Sequence, residues 1–446
     1  MKKRLFFTLI SIFLLFSTFA PLVAAIQTGG PNHQAHAVVL ADGNTGDILY
    51  VRNPHEPLHP ASTTKIMTAL LAVEAMDRGE FTIVDTLTTT ETALADMIPA
   101  GANIGLEVGE EMSFESLLYA AMLVSANDAT NVLAEYIGGS IDGFVRMMNE
   151  RARELGALNT NFANAHGLPN EAHYSTAYDL FRISYAAMRN ARFMEIATSL
   201  QQGHPATNLQ PAGIFRTTNF MADPDSPHYY PGLSGIKTGY THAAGFCLVS
   251  TATQGDVFLL AVVMGVSRVP PGETPDPDPE GPTHFTETAI IYDWAFETFF
   301  KTEILSIFEE IDRIPVALGD GADSVSLRPS EPVTALTRLG SSPNIRREVT
   351  ISEEGLEAPV EQGDVLGEIT LHYGDRVFGP VPLVAGETVR LSQIAYIQRE
   401  FTTTFENLWV RVAIGVLLFL FFLYLIYAIR HSIVRRRRRR ARLRRR

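Results

Sequence analysis

Apolar residues recur at two different spacings between residues 30 and 300, and the mixture predicts an α+β domain. Two short segments that flank Asp42-Gly43-Asn44-Thr45-Gly46 predict a β-hairpin over 36–50, and two apolar runs predict another over 245–265. Between these hairpins, apolar residues recur every three to four positions, as in amphipathic helices. The segments with helical spacing are 62–76, 114–124, 129–137, 141–155 and 177–189. A second hairpin that returns beside the first indicates an antiparallel sheet covered by helices.

The spacing changes near residue 303. From there to about residue 400, short alternating segments separated by glycine turns predict a small all-β domain, either a sandwich or a barrel. Residues 269–282 are rich in proline and acidic side chains and are predicted to form a surface loop. A helix over 292–300 is then expected to close the first domain. The predicted domains are therefore 26–302 and 303–400.

Both ends of the chain carry apolar runs of another kind. Residues 1–25 place three basic residues before an apolar run and end in Val23-Ala24-Ala25, which is typical of a cleaved signal peptide; an uncleaved anchor is the alternative. Residues 412–429 carry no charge and are just long enough to span a bilayer, although a buried core helix can have the same length. Residues 401–411 are predicted to be a juxtamembrane linker.

The tail, 430–446, has ten arginines in its last twelve residues. Beside an apolar span, such a tail is expected to lie in the cytoplasm and to contact anionic lipid. The chain is therefore predicted to cross the cell membrane once, with its folded domains on the extracytoplasmic face.

The net charge of −13 conceals an asymmetry. Without the three leader bases and the eleven arginines from residue 430 onward, 22 basic residues stand against 49 acidic ones. This acidic body argues against a nucleic-acid partner, which the arginine tail alone would suggest. The single cysteine, Cys247, allows no internal disulfide, and its apolar neighbours predict a buried, unreactive thiol. Neither a metal nor a cofactor is expected.

Lysine is rare, and two of its positions indicate chemistry. Outside the leader only Lys65, Lys237 and Lys301 occur, against thirty arginines. A guanidinium stays protonated, whereas a desolvated ammonium can lose its proton and act as a base. The rare lysines fall in two of three short motifs, which are Ser62-Thr63-Thr64-Lys65, Ser125-Ala126-Asn127 and Lys237-Thr238-Gly239. In this chain order the three motifs predict a serine acyl-transferase site.

The first two motifs provide candidates for proton transfer. Lys65 lies one helical turn after Ser62 on the same face, so its amine can take the hydroxyl proton before Ser62 attacks a carbonyl. Ser125 could relay a proton to the leaving nitrogen, and Asn127 could bind a substrate amide or orient Lys65. Taken alone, each motif also fits an ordinary helix cap or turn.

The third motif provides a candidate anion site. Lys237 and the hydroxyl of Thr238 could hold a substrate carboxylate beside an edge strand. Gly239 would allow the close backbone approach that a bound peptide requires. The ordinary alternative is a lysine on an exposed strand, but exposed lysines are nearly absent from this chain.

The chain resembles the low-molecular-mass penicillin-binding proteins of the serine-type D-alanyl-D-alanine carboxypeptidase family. The similarity extends from the three motifs to the segments 60–70, 123–129, 162–168, 174–180 and 235–245, and 358–394 resemble the family's C-terminal β-domain. The resemblance implies a β-lactamase/transpeptidase-like catalytic domain, with an antiparallel sheet flanked by helices and a helical subdomain. A small all-β domain and one C-terminal transmembrane helix would follow it.

The resemblance also implies an activity. Ser62 would be acylated by the penultimate D-alanine carbonyl of a peptidoglycan stem peptide, water would release a stem one D-alanine shorter, and β-lactams would acylate the same serine. The oxyanion hole would consist of the backbone N–H groups of Ser62 and Tyr240. Family members often carry an arginine before the helix that closes the domain. Here that position is His284, and Arg268 is a second candidate for binding the carboxylate.

Three other functions fit parts of the sequence. A class A β-lactamase needs a glutamate that activates water, and the nearest candidate, Glu154, is spaced wrongly. A DD-endopeptidase acting on cross-linked peptidoglycan would use the same residues and remains open. A non-catalytic wall-binding protein or β-lactam sensor would need a damaged motif or a signalling domain, and the sequence contains neither.

Overall fold

The computed structural model describes residues 29–98, 101–267, 283–339, 344–352, 355–374 and 376–443. The predicted signal peptide, the predicted loop 269–282 and Arg268 lie outside these residues. The described residues form two compact units. The first runs up to Lys301 and includes 336–339, and the second contains Thr302–Ala335 and the residues from 344 onward.

The first unit mixes strands and helices. Its strands are β1 (Ala37–Asp42), β2 (Ile48–Arg52), β3 (Thr86–Thr88), β4 (Glu111–Ser113), β5 (Gln201–His204), β6 (Gly213–Arg216), β7 (Leu233–Thr241), β8 (Gly245–Gln254) and β9 (Val257–Val266). Its helices are α1 (Lys65–Asp77), α2 (Glu91–Leu94), α3 (Phe114–Leu123), α4 (Asn127–Gly138), α5 (Ile141–Glu154), α6 (Ala177–Ala187), α7 (Ala191–Ala197) and α8 (His284–Thr298). The five predicted helices and both predicted hairpins are confirmed.

One predicted boundary is wrong. The helix that was predicted over 292–300 begins at His284, where the hydroxyl of Thr283 caps it by accepting a hydrogen bond from the N–H of Thr286. It ends at Thr298 because Phe299 has extended backbone and begins the next strand.

A five-stranded antiparallel sheet organises the first unit, with strand order β2-β1-β9-β8-β7. Strand β1, which lies between β2 and β9, is buried on both faces. Val39 packs into one apolar cluster with helices α1, α3 and α4, whereas Leu40 packs into another that includes Tyr292 of α8. The sheet therefore lies between two helical layers, as predicted. Strand β7 forms one edge of the sheet and carries Lys237.

The second unit begins within β10 and is mostly β-structure. Its strands are β10 (Phe299–Leu305), β11 (Asp312–Ala317), β12 (Ser324–Pro329), β13 (Val333–Arg338), β14 (Ile345–Ile351), β15 (Leu356–Glu357), β16 (Val365–Tyr373) and β17 (Arg376–Ala385). Six of them form one sheet, ordered β14-β16-β17-β12-β11-β15, and β10 pairs with β13. Ile369, Leu371 and Leu383 are completely buried in its core. The predicted all-β character is confirmed.

Two helices complete the described chain, α9 (Gln393–Glu406) and α10 (Leu408–Leu443). Among the described residues, one helical stretch, Leu408–Arg437, is long and apolar enough to cross a membrane. It contains the predicted span 412–429. Most of the predicted linker 401–411 is helical, because α9 extends to Glu406 and only Asn407 separates it from α10.

Candidate active site

Ser62 lies in a 3-10 turn, Ala61–Thr64, that leads directly into α1. Ala61 has a φ of +48°, in the left-handed region that disfavours residues with a Cβ. Thr63 holds the turn, because both its N–H, at 3.2 Å, and its hydroxyl, at 2.6 Å, donate to the carbonyl oxygen of Pro60. Ser62 is partly exposed in this turn, whereas Lys65, the first residue of α1, is buried.

The amine of Lys65 contacts three groups. Its Nζ lies 3.2 Å from Ser62 Oγ, and it donates to Asn127 Oδ1 and to the carbonyl oxygen of His166, both at 2.7 Å. Burial lowers the pKa of Lys65 well below its usual value, the positive charge of Lys237 lowers it further, and the Asp128 carboxylate acts in the opposite direction. The structure thus brings Ser62 and Asn127 into contact with the Lys65 amine, whose lowered pKa favours loss of its proton.

Ser125 connects α3 to α4 in a strained conformation. Its φ is +64°, and its buried Oγ has no hydrogen-bond partner within the described part of the chain. Asn127 begins α4, and its N–H donates to the carbonyl oxygen of Ala102 at 2.7 Å. Strain and unsatisfied buried hydroxyls are both rare, and both are concentrated at functional sites.

Asp128 holds the loop that precedes this motif. Its carboxylate accepts hydrogen bonds from the backbone N–H groups of Ile104, Gly105 and Leu106 at 2.9 to 3.2 Å. The loop 101–106 is therefore fixed against the start of α4. Asp128 was not among the predicted site residues, although an acidic residue in the first turn of a helix is a visible signal.

Strand β7 passes directly against the turn that carries Ser62. A Cβ added to Gly239 would lie 3.1 Å from the backbone nitrogens of both Ser62 and Thr63. Lys237 is buried on the same strand, and burial lowers its pKa to about 7. Among the described residues, its amine has one hydrogen-bond partner, the carbonyl oxygen of Thr238, at 3.2 Å. Lys237 is thus a buried amine without a carboxylate partner there.

Thr238 and Tyr240 continue the strand. The hydroxyl of Thr238 is hydrogen-bonded to that of Thr218 at 2.6 Å, a partner that the sequence analysis did not include. Tyr240 is 53% exposed, and its ring lies 4.4 Å from that of Phe246.

The ring of His284 also stacks on that of Phe246, with 5.2 Å between the ring centres. Neither of its buried ring nitrogens has a hydrogen-bond partner among the described residues. Burial lowers the pKa of His284 to about 3, and the charges of His228 and Lys237 contribute. The imidazole is therefore neutral near pH 7 and cannot provide a positive charge.

The segment around residues 162–176 is hydrogen-bonded to the Ser62 turn and to α1. Thr68 donates to the carbonyl oxygen of Ala165 at 2.6 Å, and the hydroxyl of Thr64 is hydrogen-bonded to His173 Nε2 at 2.8 Å. Because His173 Nδ1 accepts the N–H of Ala163, the ring proton lies on Nε2 and is donated to Thr64. The resemblance included this segment but assigned no role to its residues.

Two further residues lie apart from these contacts. Glu154 ends α5 and forms an ion pair with Arg151, which also contacts Glu74 near the far end of α1 from Lys65. Cys247 is buried, as predicted, and burial raises the pKa of its thiol to about 11, a direction that disfavours the reactive thiolate. No group of three His, Cys, Asp or Glu side chains suited to a metal ion occurs within the described ranges.

Comparisons with known proteins cover both units. The profile of the D-alanyl-D-alanine carboxypeptidase family, peptidase S11, matches residues 24–268, and that of the penicillin-binding protein 5 C-terminal domain matches 304–390. D-alanyl-D-alanine carboxypeptidase DacF of Bacillus subtilis (strain 168) is 34% identical over 395 residues, 87% of this chain and 95% of the relative. D-alanyl-D-alanine carboxypeptidase DacC of Escherichia coli (strain K12) is 30% identical over 381 residues, 83% of this chain and 88% of the relative.

Solved structures are similar as well. Penicillin-binding protein 5 from Haemophilus influenzae superposes with a TM-score of 0.59 at 26% identity, covering 81% of this chain and 99% of that one. PBP3 from Streptococcus pneumoniae, described as a peptidoglycan synthesis regulatory factor, gives a TM-score of 0.63 at 25% identity, covering 80% and 100%.

Proposed function

The chain belongs to the D-alanyl-D-alanine carboxypeptidase family, and we propose that it is a serine-type enzyme that removes the terminal D-alanine from peptidoglycan stem peptides. The contact of the Lys65 amine with Ser62 Oγ, on a turn that leaves Ser62 partly exposed, carries this proposal. β-Lactams are expected to acylate the same serine, because their strained amide presents a carbonyl carbon to the same nucleophile.

The contacts of Lys65 support its role as the general base. A neutral amine has two N–H bonds and one lone pair. The oxygens of Asn127 and His166, both at 2.7 Å, can only accept, so they take the two hydrogens. The lone pair is then directed toward Ser62, whose hydroxyl donates to it across 3.2 Å. Lys65 can therefore take the proton as Ser62 Oγ attacks the carbonyl carbon.

The acylation step then follows. Ser62 Oγ bonds to the carbonyl carbon, and the carbonyl electron pair moves to the oxygen, which the N–H groups of Ser62 and Tyr240 are proposed to stabilise. Loss of one such donor typically slows a reaction by about 10² to 10³. Lys65 passes its proton through Ser125 to the nitrogen of the leaving D-alanine as the C–N bond breaks. The buried, unpartnered hydroxyl of Ser125 supports this relay.

The acyl-enzyme is then hydrolysed by the reverse sequence of proton transfers. Water attacks the ester carbon, Lys65 accepts a proton from it, and Ser62 leaves and regains its proton. The products are free serine and a stem peptide that ends one D-alanine earlier. The chain's own side chains supply each proton transfer in both halves of the cycle.

Lys237 and Thr238 are proposed to bind the terminal carboxylate. The buried ammonium of Lys237 has only a backbone acceptor among the described residues, so a substrate carboxylate would supply the missing negative charge. Gly239, Asn127 and Tyr240 would line the path of the peptide. His284 would contribute a hydrogen bond rather than a charge, since its imidazole is neutral, and Arg268 remains a second candidate for the carboxylate.

We further propose that α10 anchors the protein in the cell membrane, with both folded units on the extracytoplasmic face and the arginine tail in the cytoplasm. The length and apolar composition of Leu408–Arg437 support the span. The clustered arginines that follow it support the orientation.

The full-length protein in detergent provides the test. Wild-type protein is incubated with a synthetic pentapeptide stem, D-alanine release is assayed, and intact-mass spectrometry detects a penicillin adduct. We expect the wild-type protein to release one D-alanine from each stem peptide and to form one penicillin adduct per chain. Ser62→Ala should neither release D-alanine nor form the adduct. Ser330→Ala, an exposed serine of the second unit, serves as the matched control and should behave like wild type. D-alanine release by Ser62→Ala would reject Ser62 as the nucleophile. An adduct without release would favour an endopeptidase or a sensor.

A further inference from the structure

Asp96 lies at the end of a chain of contacts that reaches the amine of Lys65. The imidazole of His166 is buried, and its Nδ1 accepts the N–H of Leu168 at 3.2 Å. The ring proton must therefore lie on Nε2, which is 3.1 Å from Asp96 Oδ2. The ring is thus held at both nitrogens, while the carbonyl oxygen of the same residue accepts the Lys65 hydrogen bond.

The other carboxylate oxygen of Asp96 contacts α4. Asn131 Nδ2 donates to Asp96 Oδ1 at 2.8 Å and to the carbonyl oxygen of Ala93 at 3.0 Å. Asn131 follows Asn127 by four residues, so the two amides lie on the same face of α4, one turn apart. One carboxylate therefore connects the helix that supplies Asn127 Oδ1 with the segment that supplies the His166 carbonyl.

The charges fit this arrangement. The hydrogen bond from His166 lowers the pKa of Asp96, so the carboxylate is ionised near pH 7. Burial lowers the pKa of His166, and the Asp96 hydrogen bond opposes that shift, as does its charge, while Lys65 adds to it. A neutral imidazole that donates to an ionised carboxylate forms a stronger hydrogen bond than a neutral pair would.

We infer that Asp96 is a positioning residue for the general base: it fixes, through His166 and Asn131, the two oxygens that take the hydrogens of Lys65, and so directs the lone pair of Lys65 toward Ser62. The inference rests on the proposed roles of Ser62 and Lys65. It predicts that Asp96 affects the rate of the acyl transfer and leaves substrate binding unchanged, because Asp96 contacts neither Ser62 nor the carboxylate site.

Asp96→Ala is compared with a control that removes another contact between α4 and the segment 90–96. Glu135 lies on α4 one turn beyond Asn131, and its carboxylate accepts from the hydroxyls of Thr90, which caps α2, and Thr92, which lies in α2. Glu135→Ala therefore removes another attachment between the same two segments without affecting His166. The acylation rate of each full-length variant at saturating penicillin, the penicillin concentration that gives half that rate, and the melting temperature are measured.

We expect Asp96→Ala to lower the saturating acylation rate about 10- to 100-fold, the range that follows when a catalytic group moves by a fraction of an ångström to one ångström. The half-saturating concentration should be unchanged, and Glu135→Ala should acylate like wild type at a similar melting temperature. Equal losses in the two variants, or an undiminished rate in Asp96→Ala, would overturn the inference, since a general docking role would then explain the contacts.

An exchange of the two polar partners sharpens the test. In Asp96→Asn, the amide oxygen of the new side chain still accepts from His166. Its NH₂ group then faces the NH₂ group of Asn131, and two donors cannot form a hydrogen bond with each other. In Asp96→Asn combined with Asn131→Asp, the donor and acceptor of the contact between residues 96 and 131 are exchanged and that contact is restored, whereas the hydrogen bond from residue 131 to the carbonyl oxygen of Ala93 is lost in both variants that carry Asn131→Asp. The double variant should acylate faster than either single variant, and a slower double variant would contradict the inference. Absence of acylation in wild-type protein would instead refute the proposed nucleophile, which separates the two failures.

Discussion

The backbone at Gly167 packs so closely against the Ser62 turn that Gly167→Ala tests how accurately the turn must be held. Gly167 has a φ of +91°, and an added Cβ would lie 1.9 Å from the carbonyl oxygen of Ala61 and 2.9 Å from Thr64 Oγ1. Real Cβ atoms do not approach other heavy atoms closer than 3.0 Å, so the separation must increase by at least 1.1 Å, the difference between 3.0 and 1.9 Å. The nearest of these atoms is a backbone carbonyl oxygen, which cannot rotate out of the way as a side chain can.

The displacement should be visible in the rate. Ala61 immediately precedes Ser62, and moving a reacting atom by about 1 Å can reduce a rate about 100-fold. We therefore expect Gly167→Ala to lower the rate of acylation by penicillin about 100-fold or more. The left-handed backbone at residue 167 should also destabilise the folded state by about 1 to 2 kcal/mol when a Cβ is present.

Gly79→Ala separates these two effects. Gly79 follows α1 with a φ of +75°, and an added Cβ would meet nothing within 4 Å. This control carries the same backbone penalty without a steric clash, so it should lose stability and keep its rate. Acylation is followed by intact-mass spectrometry at timed intervals, and stability is followed by melting temperature. If folded Gly167→Ala acylated as fast as Gly79→Ala, the turn would not need the placement that the structure shows.

Three other outcomes follow from the same geometry. Because burial lowers the pKa of Lys237 to about 7, its amine is charged below that pH and neutral above it. The KM for a stem peptide should therefore rise between about pH 6 and pH 8. A stem peptide with an amidated C-terminus has no carboxylate to lose its partner, so its KM should show no such rise. Ser125→Ala removes a hydroxyl without a described partner, so the melting temperature should stay within about 1 °C while D-alanine release falls about 10²- to 10⁴-fold, and an unchanged release rate would reject the proton relay. A stop codon at Leu408 should move the protein from the membrane fraction to the soluble fraction on cell fractionation, and continued sedimentation with the membranes would reject the anchor.

The spacing of apolar residues located the long elements because most of their apolar side chains are buried in one of the two clusters that flank the sheet. In helix α3 and strands β8 and β9, the buried positions are nearly continuous in sequence. The contact between Ser62 and Lys65 was predictable for a similar reason: three residues of helical backbone fix their relative positions whatever the rest of the fold does.

The remaining site residues could not be predicted, because their roles do not depend on a characteristic side chain. His166 binds Lys65 through its backbone carbonyl oxygen, and Gly167 is required because a side chain would clash with the Ser62 turn. The contact between His166 and Asp96 joins residues that are 70 positions apart. Short strands such as β3, with three residues, are too short for alternation to be recognised. The start of α8 at His284 was missed because its cap is Thr283 with Thr286, where a glutamate or glutamine would have been the recognisable partner.

The two buried amines affect each other's charge but have different tasks in the proposed mechanism. The positive charge of Lys237 lowers the pKa of Lys65, whereas burial keeps Lys237 itself close to losing its proton near pH 7. A substrate carboxylate beside Lys237 would favour the charged form of that amine, because opposite charges stabilise each other at short range. Only the neutral form of Lys65 has a lone pair for the Ser62 proton. The charged Lys237 favours that form, whereas the negative charge of the carboxylate opposes it, so the two charges of the bound pair largely offset each other at Lys65. In the proposed mechanism, burial, the largest cause of the lowered pKa of Lys65, therefore favours the neutral base, and the carboxylate acts through Lys237 on substrate binding.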